Sequence, residues 1–281
     1  MKTNIENTQS LLHDFGLTTK KTLGQNFLIS QQVVNQIIDG ANINKEDVVI
    51  EIGPGIGALS EELCKRAKQV YLFEIDKSFE SALHYRLKDY DNYELFIIDF
   101  LKVKIDNFIK EKGINDKIIL VSNLPYYITS KLLLQIVKSY KYIKKIVVMM
   151  QKDVGDKLLN DNDNKEKNTL KTLINCYTNK KEVCLVSSEN FLPRPHVDSS
   201  VLLFDVLTTP RYHIVNSDNL EKKLNALFTQ RRKTINKNLS MLVDKNKIET
   251  ILSKCDISPL TRVEQLEEEQ LINLCNVIEE A

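Results

Sequence analysis

The sequence carries almost no net charge: 39 lysines and arginines stand against 38 aspartates and glutamates, which leaves +1 at neutral pH. No global field therefore draws in nucleic acid, and any basic footprint has to be local. Paired cysteine motifs are lacking as well. The five cysteines (Cys64, Cys176, Cys184, Cys255 and Cys275) are scattered, odd in number and without C-x-x-C spacing, so free thiols in a reducing cytoplasm fit better than disulfides or a zinc site. His13, His84, His196 and His213 are too dispersed for a metal centre or a catalytic triad. No apolar run reaches the length of a membrane span, and the polar start has no signal-peptide core. A cytoplasmic protein with neither membrane nor metal partner is expected. What is present, 42% apolar and 27% charged residues over 281 positions, suits a soluble chain with one large domain and one small one.

The apolar run Ile118-Ile119-Leu120-Val121 breaks into Asn123-Leu124-Pro125-Tyr126. That is the pattern of a buried strand delivering a carboxamide to its own exit loop. Pro125 stops the strand and fixes one dihedral, which holds the preceding carbonyls in extended geometry. Tyr126 and Tyr127 then set aromatic faces beside an amide oxygen and backbone carbonyls. Such a set suits a flat group that bears an amine. Read alone, the segment is equally a strand ending in an ordinary proline turn; the residues upstream decide between the two.

There, Val48-Val49-Ile50-Glu51-Ile52 reads as a continuous apolar strand, followed by Gly53-Pro54-Gly55-Ile56-Gly57 and a helix opening at Leu59 and Leu63. Alternate glycines permit positive φ and close backbone approach, so amides at the helix start can face a ligand. The next strand, Val70-Tyr71-Leu72-Phe73, ends in Glu74-Ile75-Asp76, where an acid is placed to accept from both ribose hydroxyls of a nucleoside. Leu95-Phe96-Ile97-Ile98 ends in Asp99, and Ile146 to Met150 is a fifth strand. Helical patterns lie between them, which predicts a parallel sheet with a ligand at the strand C-terminal ends. Gly53, Glu74, Asp99 and Asn123 all fall at such ends.

Around this centre, Ser30 caps a helix over Val33, Val34, Ile37 and Ile38 that ends at Gly40. Before it, Lys20-Lys21-Thr22-Leu23-Gly24-Gln25-Asn26-Phe27-Leu28 reads as a loop suited to something polar and anionic, or simply as a solvated one. Asn160 to Asn168 is a polar, turn-rich loop. Val183 to Val186 and Ser200 to Phe204 predict two further strands forming an antiparallel pair. Between them the two prolines of Asn190 to Ser199 stiffen a loop that holds Phe191, either as a second aromatic beside Tyr126 or as a staple in the core. From about residue 208 the spacing turns helical, with Leu220, Leu224, Leu227 and Phe228 on one face and Leu271, Leu274, Cys275 and Ile278 on another. Gln230 to Asn238 holds the one dense basic cluster. With Lys20 and Lys21, its Arg231, Arg232 and Lys233 form either a phosphate-contacting face or a solvated helix.

The set Gly24 to Leu28, Glu51 to Gly57, Glu74 to Asp76, Asn123 to Tyr126, Phe191 to Ser199 and Gln230 to Thr234, in that order over nearly the whole chain, resembles the ribosomal RNA adenine dimethyltransferase family. The resemblance is strongest to its bacterial members that act on two adjacent adenosines near the 3′ end of 16S rRNA. It implies an α/β class I S-adenosylmethionine-dependent methyltransferase, with a Rossmann-like, mostly parallel seven-stranded sheet and helices on both faces, over residues 1–207. A small all-α RNA-binding domain over 208–281 would follow. By the same resemblance Asn26, Leu28, Gly53, Glu74, Asp99 and Asn123 contact S-adenosylmethionine, Glu74 taking the ribose hydroxyls and Asp99 the adenine amine. Asn123 with the Leu124–Pro125 backbone holds the target amine, and Tyr126 and Phe191 sandwich its ring. The implied partner is 16S rRNA in the 30S subunit, and a monomer is expected.

Two segments depart from the family pattern. Ile98 stands where glycine usually precedes the acid, which bears on how the Asp99 loop approaches adenine. Lys167-Asn168-Thr169-Leu170-Lys171 replaces a segment that usually carries Tyr-Gly and Leu-Ser, which bears on packing behind the target loop. Among rival readings, a 23S rRNA adenine methyltransferase of the macrolide-resistance type shares fold and site, but Leu124 and Val197-Asp198-Ser199 favour the 16S type. A non-catalytic ribosome-assembly or transcription factor on the same fold is disfavoured by an intact Asn123 to Tyr126 segment. A dehydrogenase ranks last, because Gly53 to Gly57 is not G-x-G-x-x-G and no hydride-handling residues follow.

Overall fold

The computed structural model describes residues 2–20, 24–161 and 166–281. In chain order the elements are α1 (Ile5–Asp14), β1 (Phe27–Leu28), α2 (Gln31–Ala41), β2 (Val48–Ile52), α3 (Ser60–Arg66), β3 (Gln69–Glu74), α4 (Glu80–Arg86), β4 (Tyr93–Ile97), α5 (Ile105–Glu111), β5 (Ile118–Asn123), α6 (Thr129–Lys138) and β6 (Ile143–Gln151). Then come α7 (Lys152–Leu159), α8 (Thr169–Tyr177), β7 (Thr178–Val186), β8 (Phe191–Leu192), β9 (Ser199–Val206), α9 (Ser217–Thr229), α10 (Ile235–Leu239), α11 (Lys245–Lys254) and α12 (Glu268–Glu280).

Seven strands form one sheet in the order β4-β3-β2-β5-β6-β9-β7. The pairs β4–β3, β3–β2, β2–β5 and β5–β6 are parallel, and β9 runs antiparallel to β6. Strands covered by helices on both faces read as unbroken apolar runs. Accordingly Val49, Ile50, Ile119, Leu120 and Val121 are all buried. The α2 helix lays Val33, Val34, Ile37, Ile38 and Ala41 against the core, and its first turn is capped by the Ser30 hydroxyl, which accepts from the Val33 amide at 3.4 Å. It does not stop at Gly40. Asn42 takes the left-handed closing position at φ 50° instead. Gly40 serves close approach: a Cβ there would stand 2.8 Å from Val183 Cγ1.

The chain divides into two units. The first comprises Met1–Leu159 and Asn179–Val206, the second Asn160–Thr178 and Leu207–Ala281. The division expected at 207/208 is therefore corrected by one excursion, because α8 belongs with the C-terminal helices. The reason is visible in its bonds. Thr169 Oγ1 donates to Asn225 Oδ1 at 2.7 Å, Asn175 Nδ2 to Glu268 Oε1 at 2.6 Å, and the buried Lys167 Nζ to the Leu266 carbonyl at 2.8 Å. The Lys167 to Lys171 segment thus packs within the second unit. Part of the polar run Asn160 to Asn168 lies outside the described residues.

Candidate active site

The order of the sheet reverses between β2 and β5. Crossovers leave in opposite directions there and open a crevice beyond the strand C-terminal ends. The Ser122 hydroxyl donates to the Ile52 carbonyl at 2.6 Å and ties the two strand ends together. A cleft at this point is lined by Gly53, Glu74, Asp99 and Asn123, by Tyr126 and Tyr127, and by Asn26 and Leu28 from the loop that leads into α2.

One wall is the turn after β2. Gly53, Gly55 and Gly57 take φ of 67°, 56° and 79°, a region that side chains disfavour. Gly55 is also a point of close approach, since a Cβ there would lie 3.1 Å from the Phe27 ring. Its amide donates to Glu74 Oε2 at 3.0 Å, while the Asp76 amide donates to Glu74 Oε1 at 2.8 Å. Burial pushes the Glu74 carboxyl above the usual carboxylate range, and these amides work against that push. Asp76 is governed by its partners. Burial would raise it, but hydrogen bonds from Lys20, Ser78 and Gln25 outweigh burial and hold it down at about 2.

Lys20 therefore folds onto this wall. Its Nζ lies 2.8 Å from Asp76 Oδ2, and Gln25 Nε2 donates to the same oxygen at 3.0 Å. Asn26 Nδ2 donates to the Gly24 carbonyl at 3.3 Å, and the Asn26 carbonyl accepts from Asn123 Nδ2 at 3.2 Å. With its NH2 so engaged, the Asn123 carboxamide has its oxygen left to accept from a ligand. The turn beyond is held on all sides. The Leu124 amide donates to the Met149 carbonyl at 3.0 Å, the Pro125 carbonyl accepts from the Ile128 amide at 3.2 Å and the Thr129 hydroxyl at 3.0 Å, and Tyr126 Oη lies 2.8 Å from Ser199 Oγ. Asp99 sits at the tip of β4 with Oδ1 accepting from the Leu101 amide at 3.0 Å. Ile98 leaves the β3–β4 ladder intact, its amide donating to the Glu74 carbonyl at 2.8 Å. Ile75, Ile98 and Tyr127 line the cleft yet stay 48%, 41% and 52% exposed, an apolar rim of the kind that receives a ring.

Phe191 is placed differently from the aromatic clamp expected of it. In β8 it pairs with Leu28 of β1, and its ring is only 2% exposed, within the core formed with Leu28, Val34, Val186 and Val201. It is the staple of the two alternatives. Lys21 lies outside the described residues. Arg231, Arg232 and Lys233 sit in the turn between α9 and α10, in the second unit. Arg232 and Lys233 are exposed there, and Arg231 Nη2 lies 3.8 Å from Glu264.

Glu51 escaped the sequence reading because it hides inside an apolar strand. It lines the cleft at 2% exposure, and its Oε2 accepts from the Ser60 hydroxyl at 2.6 Å. Burial lifts its carboxyl to about 8, the Ser60 hydrogen bond pulling the other way and neighbouring Glu74 adding to the rise. The one available signal was an acid standing alone among Val48, Val49, Ile50 and Ile52.

A sheet of this order, with a glycine turn after the first of its strands and acids at the tips of the next two, is the class I methyltransferase fold. Solved structures agree. A dimethyladenosine transferase from Plasmodium falciparum superposes with a TM-score of 0.72 at 24% identity, over 88% of this chain and 95% of that one. The 23S rRNA methyltransferase ErmE superposes at 0.65 and 23% identity, over 90% and 100%. In sequence, the ribosomal RNA small subunit methyltransferase A of Bacillus pumilus is 39% identical, covering 98% of this chain and 96% of its own. That of Clostridium botulinum is 37% identical over 97% and 98%. Residues 16–280 match the family described as ribosomal RNA adenine dimethylase, and the chain belongs to that family.

Proposed function

We propose that this protein uses S-adenosylmethionine to dimethylate the N6 amines of two adjacent adenosines in the 3′-terminal hairpin of 16S rRNA. It does so as a monomer in the cytoplasm, on the 30S particle, as a step in small-subunit assembly. The observation that carries the reading is the convergence of Gly53, Glu74, Asp99 and Asn123 on one cleft. Relatives named as small-subunit methyltransferases over nearly full length support the 16S assignment over 23S rRNA.

The residues fit the cofactor. Glu74 offers a carboxylate to ribose hydroxyls, Asp99 an acceptor to the adenine amine, and Gly53 and Gly55 let backbone approach a ligand without a Cβ in the way. Ile75 and Ile98 supply apolar contact to a ring, and Asn26 and Leu28 line the same cleft. Bound there, S-adenosylmethionine supplies an electrophilic methyl on its sulfonium, so the chain needs no strong acid or base of its own. Its task is alignment and exclusion of water. The adenine amine is a poor nucleophile because its lone pair is delocalised into the ring. Two acceptors that bind the amine hydrogens favour a pyramidal nitrogen whose lone pair is directed away from the ring. Asn123 Oδ1 is one of them. The Pro125 carbonyl already accepts twice, so the Leu124 carbonyl is the second. Tyr126 provides a stacking face for the extruded base, and such stacking offsets about 1–3 kcal/mol of the extraction cost. Arg232 and Lys233 of the second unit serve the RNA backbone.

The test is to incubate the protein with methyl-labelled S-adenosylmethionine and unmethylated 30S or 50S particles, then map the label. Dimethyladenosine at paired 16S positions is expected. Label in 23S rRNA would transfer the protein to the resistance type, and cofactor binding without any label would leave a binding factor.

A further inference from the structure

Beneath the glycine turn lies a buried charge network that the proposed reaction does not use. Arg86 ends α4, and its side chain is only 2% exposed. The three guanidinium nitrogens each address a different part of the chain. Nε donates to Glu61 Oε2 of α3 at 3.1 Å, Nη1 to the Ile56 carbonyl inside the glycine turn at 3.4 Å, and Nη2 to the hydroxyl of Thr3 at 2.7 Å. Thr3 is itself 2% exposed, and its amide donates to Gln31 Oε1 at the start of α2 with 2.8 Å between them. The turn is shaped around this arginine. A Cβ on Gly57 would stand 3.2 Å from Arg86 Cδ, and Ile56 lines the cleft with one face while its carbonyl points to the guanidinium.

We infer that Arg86 is a positioning residue for the cofactor wall, and that Thr3 latches it: the N-terminal segment sets the glycine turn through Thr3, Arg86 and the Ile56 carbonyl. The inference rests on the reading of the cleft as the S-adenosylmethionine site. A guanidinium holds its plane when several of its donors are engaged in fixed directions. Losing the Thr3 hydroxyl leaves Nη2 buried without that acceptor, so the group relaxes toward Glu61. The Ile56 carbonyl then loses its donor, and the 53–57 turn that carries the Gly55 amide loosens. Glu74 shares that amide, so the disturbance reaches the ribose side of the cleft without touching Asn123 or Tyr126.

The variants are Thr3→Val, which keeps the shape and removes the hydroxyl, Thr3→Ser, which restores it, and Arg86→Lys, which keeps charge but loses the fork. Affinity for S-adenosylmethionine is measured by calorimetry, with a thermal melt on each protein. Steady-state rates on 30S particles are then taken at limiting and saturating cofactor. Thr3→Val is expected to weaken the cofactor about three- to tenfold, the scale of a charge-assisted hydrogen bond, and to raise KM for the cofactor with kcat nearly unchanged. Arg86→Lys should weaken it further, and Thr3→Ser should bind as the parent does. Folded Thr3→Val and Arg86→Lys proteins that bind the cofactor like the parent would overturn the inference. So would a Thr3→Ser variant as impaired as Thr3→Val. A parent protein that binds no S-adenosylmethionine would instead overturn the reading of the cleft.

Discussion

Glu51→Gln exposes a cost built into the floor of the cleft. The parent carboxyl is displaced from 4.5 to about 8 by burial. At 1.36 kcal/mol per decade of proton affinity, this displacement corresponds to about 5 kcal/mol between the two protonation states. Relaxation and water entry at a cleft floor reduce what is realised, and about 2–4 kcal/mol is the expected difference in folding stability. The direction follows from which state holds the proton. The folded carboxyl binds it more tightly than the unfolded one. This part of the stability is thus present in full below pH 4.5 and is lost as pH rises through 8. Glutamine cannot ionise, so the variant lacks that loss.

Its amide oxygen can keep the Ser60 hydroxyl as donor, while its NH2 enters a site built for a carboxyl and costs about 1 kcal/mol. Parent and variant stability curves should therefore cross. Near pH 5 Glu51→Gln is the less stable by that amount, and by pH 9 it is the more stable by a few kcal/mol. Urea unfolding of the ligand-free protein at pH 5, 6.5, 8 and 9 and constant ionic strength measures this. Glu74, also raised by burial, is present in both proteins, so the difference curve reports mainly on Glu51. A difference that stays flat from pH 5 to 9 refutes the claim that Glu51 is held protonated by its surroundings.

Other outcomes follow from the same geometry. Asn123→Ala should abolish methyl transfer while gel-shift affinity for the RNA largely survives; parallel loss of both would remove the carboxamide from the chemistry. For Glu74→Ala, calorimetry should find cofactor affinity lost and RNA affinity little changed. Gly55→Ala places a methyl 3.1 Å from the Phe27 ring at φ 56° and should cost about 1–2 kcal/mol of stability, with cofactor binding impaired beyond that loss. Phe191→Ala, at 2% exposure, should cost about 3–5 kcal/mol by denaturant titration; a well-folded variant of parental stability that no longer binds the target base would reinstate the aromatic clamp.

The central strands were legible because a parallel strand buried on both faces is a continuous apolar run, and a polar residue that ends such a run must stand at its tip. That logic places Gly53, Glu74, Asp99 and Asn123 at strand ends, and the structure brings them to one cleft. It fails for Glu51 for the same reason it succeeds elsewhere. Tip residues announce themselves by breaking the run, whereas Glu51 sits one residue before the break, where Ile52 resumes it. The α8 excursion was illegible for another reason. An amphipathic helix between two strands reads as a crossover whichever core it serves, and only Thr169, Asn175 and Lys167 bonding to Asn225, Glu268 and Leu266 show which.

Tyr126 and Phe191 show where residue type stops being informative. Both are aromatics within two residues of a proline, and both were candidates for one stacking pair. Tyr126 follows a strand of six residues, so its position relative to the cleft is set by β5, and its hydroxyl is pinned by Ser199. Phe191 lies in a strand of two residues whose only partner among the described residues is β1, also of two. Neither strand is long enough to show alternation, and they are far apart in the chain, so the register Leu28↔Phe191 has no sequence signature. A slip of one residue would turn Phe191 out and Leu192 in. The register that is formed puts Phe191 into the core beside Leu28. With its ring packed in the core, Phe191 is therefore not free to stack on a base in the cleft.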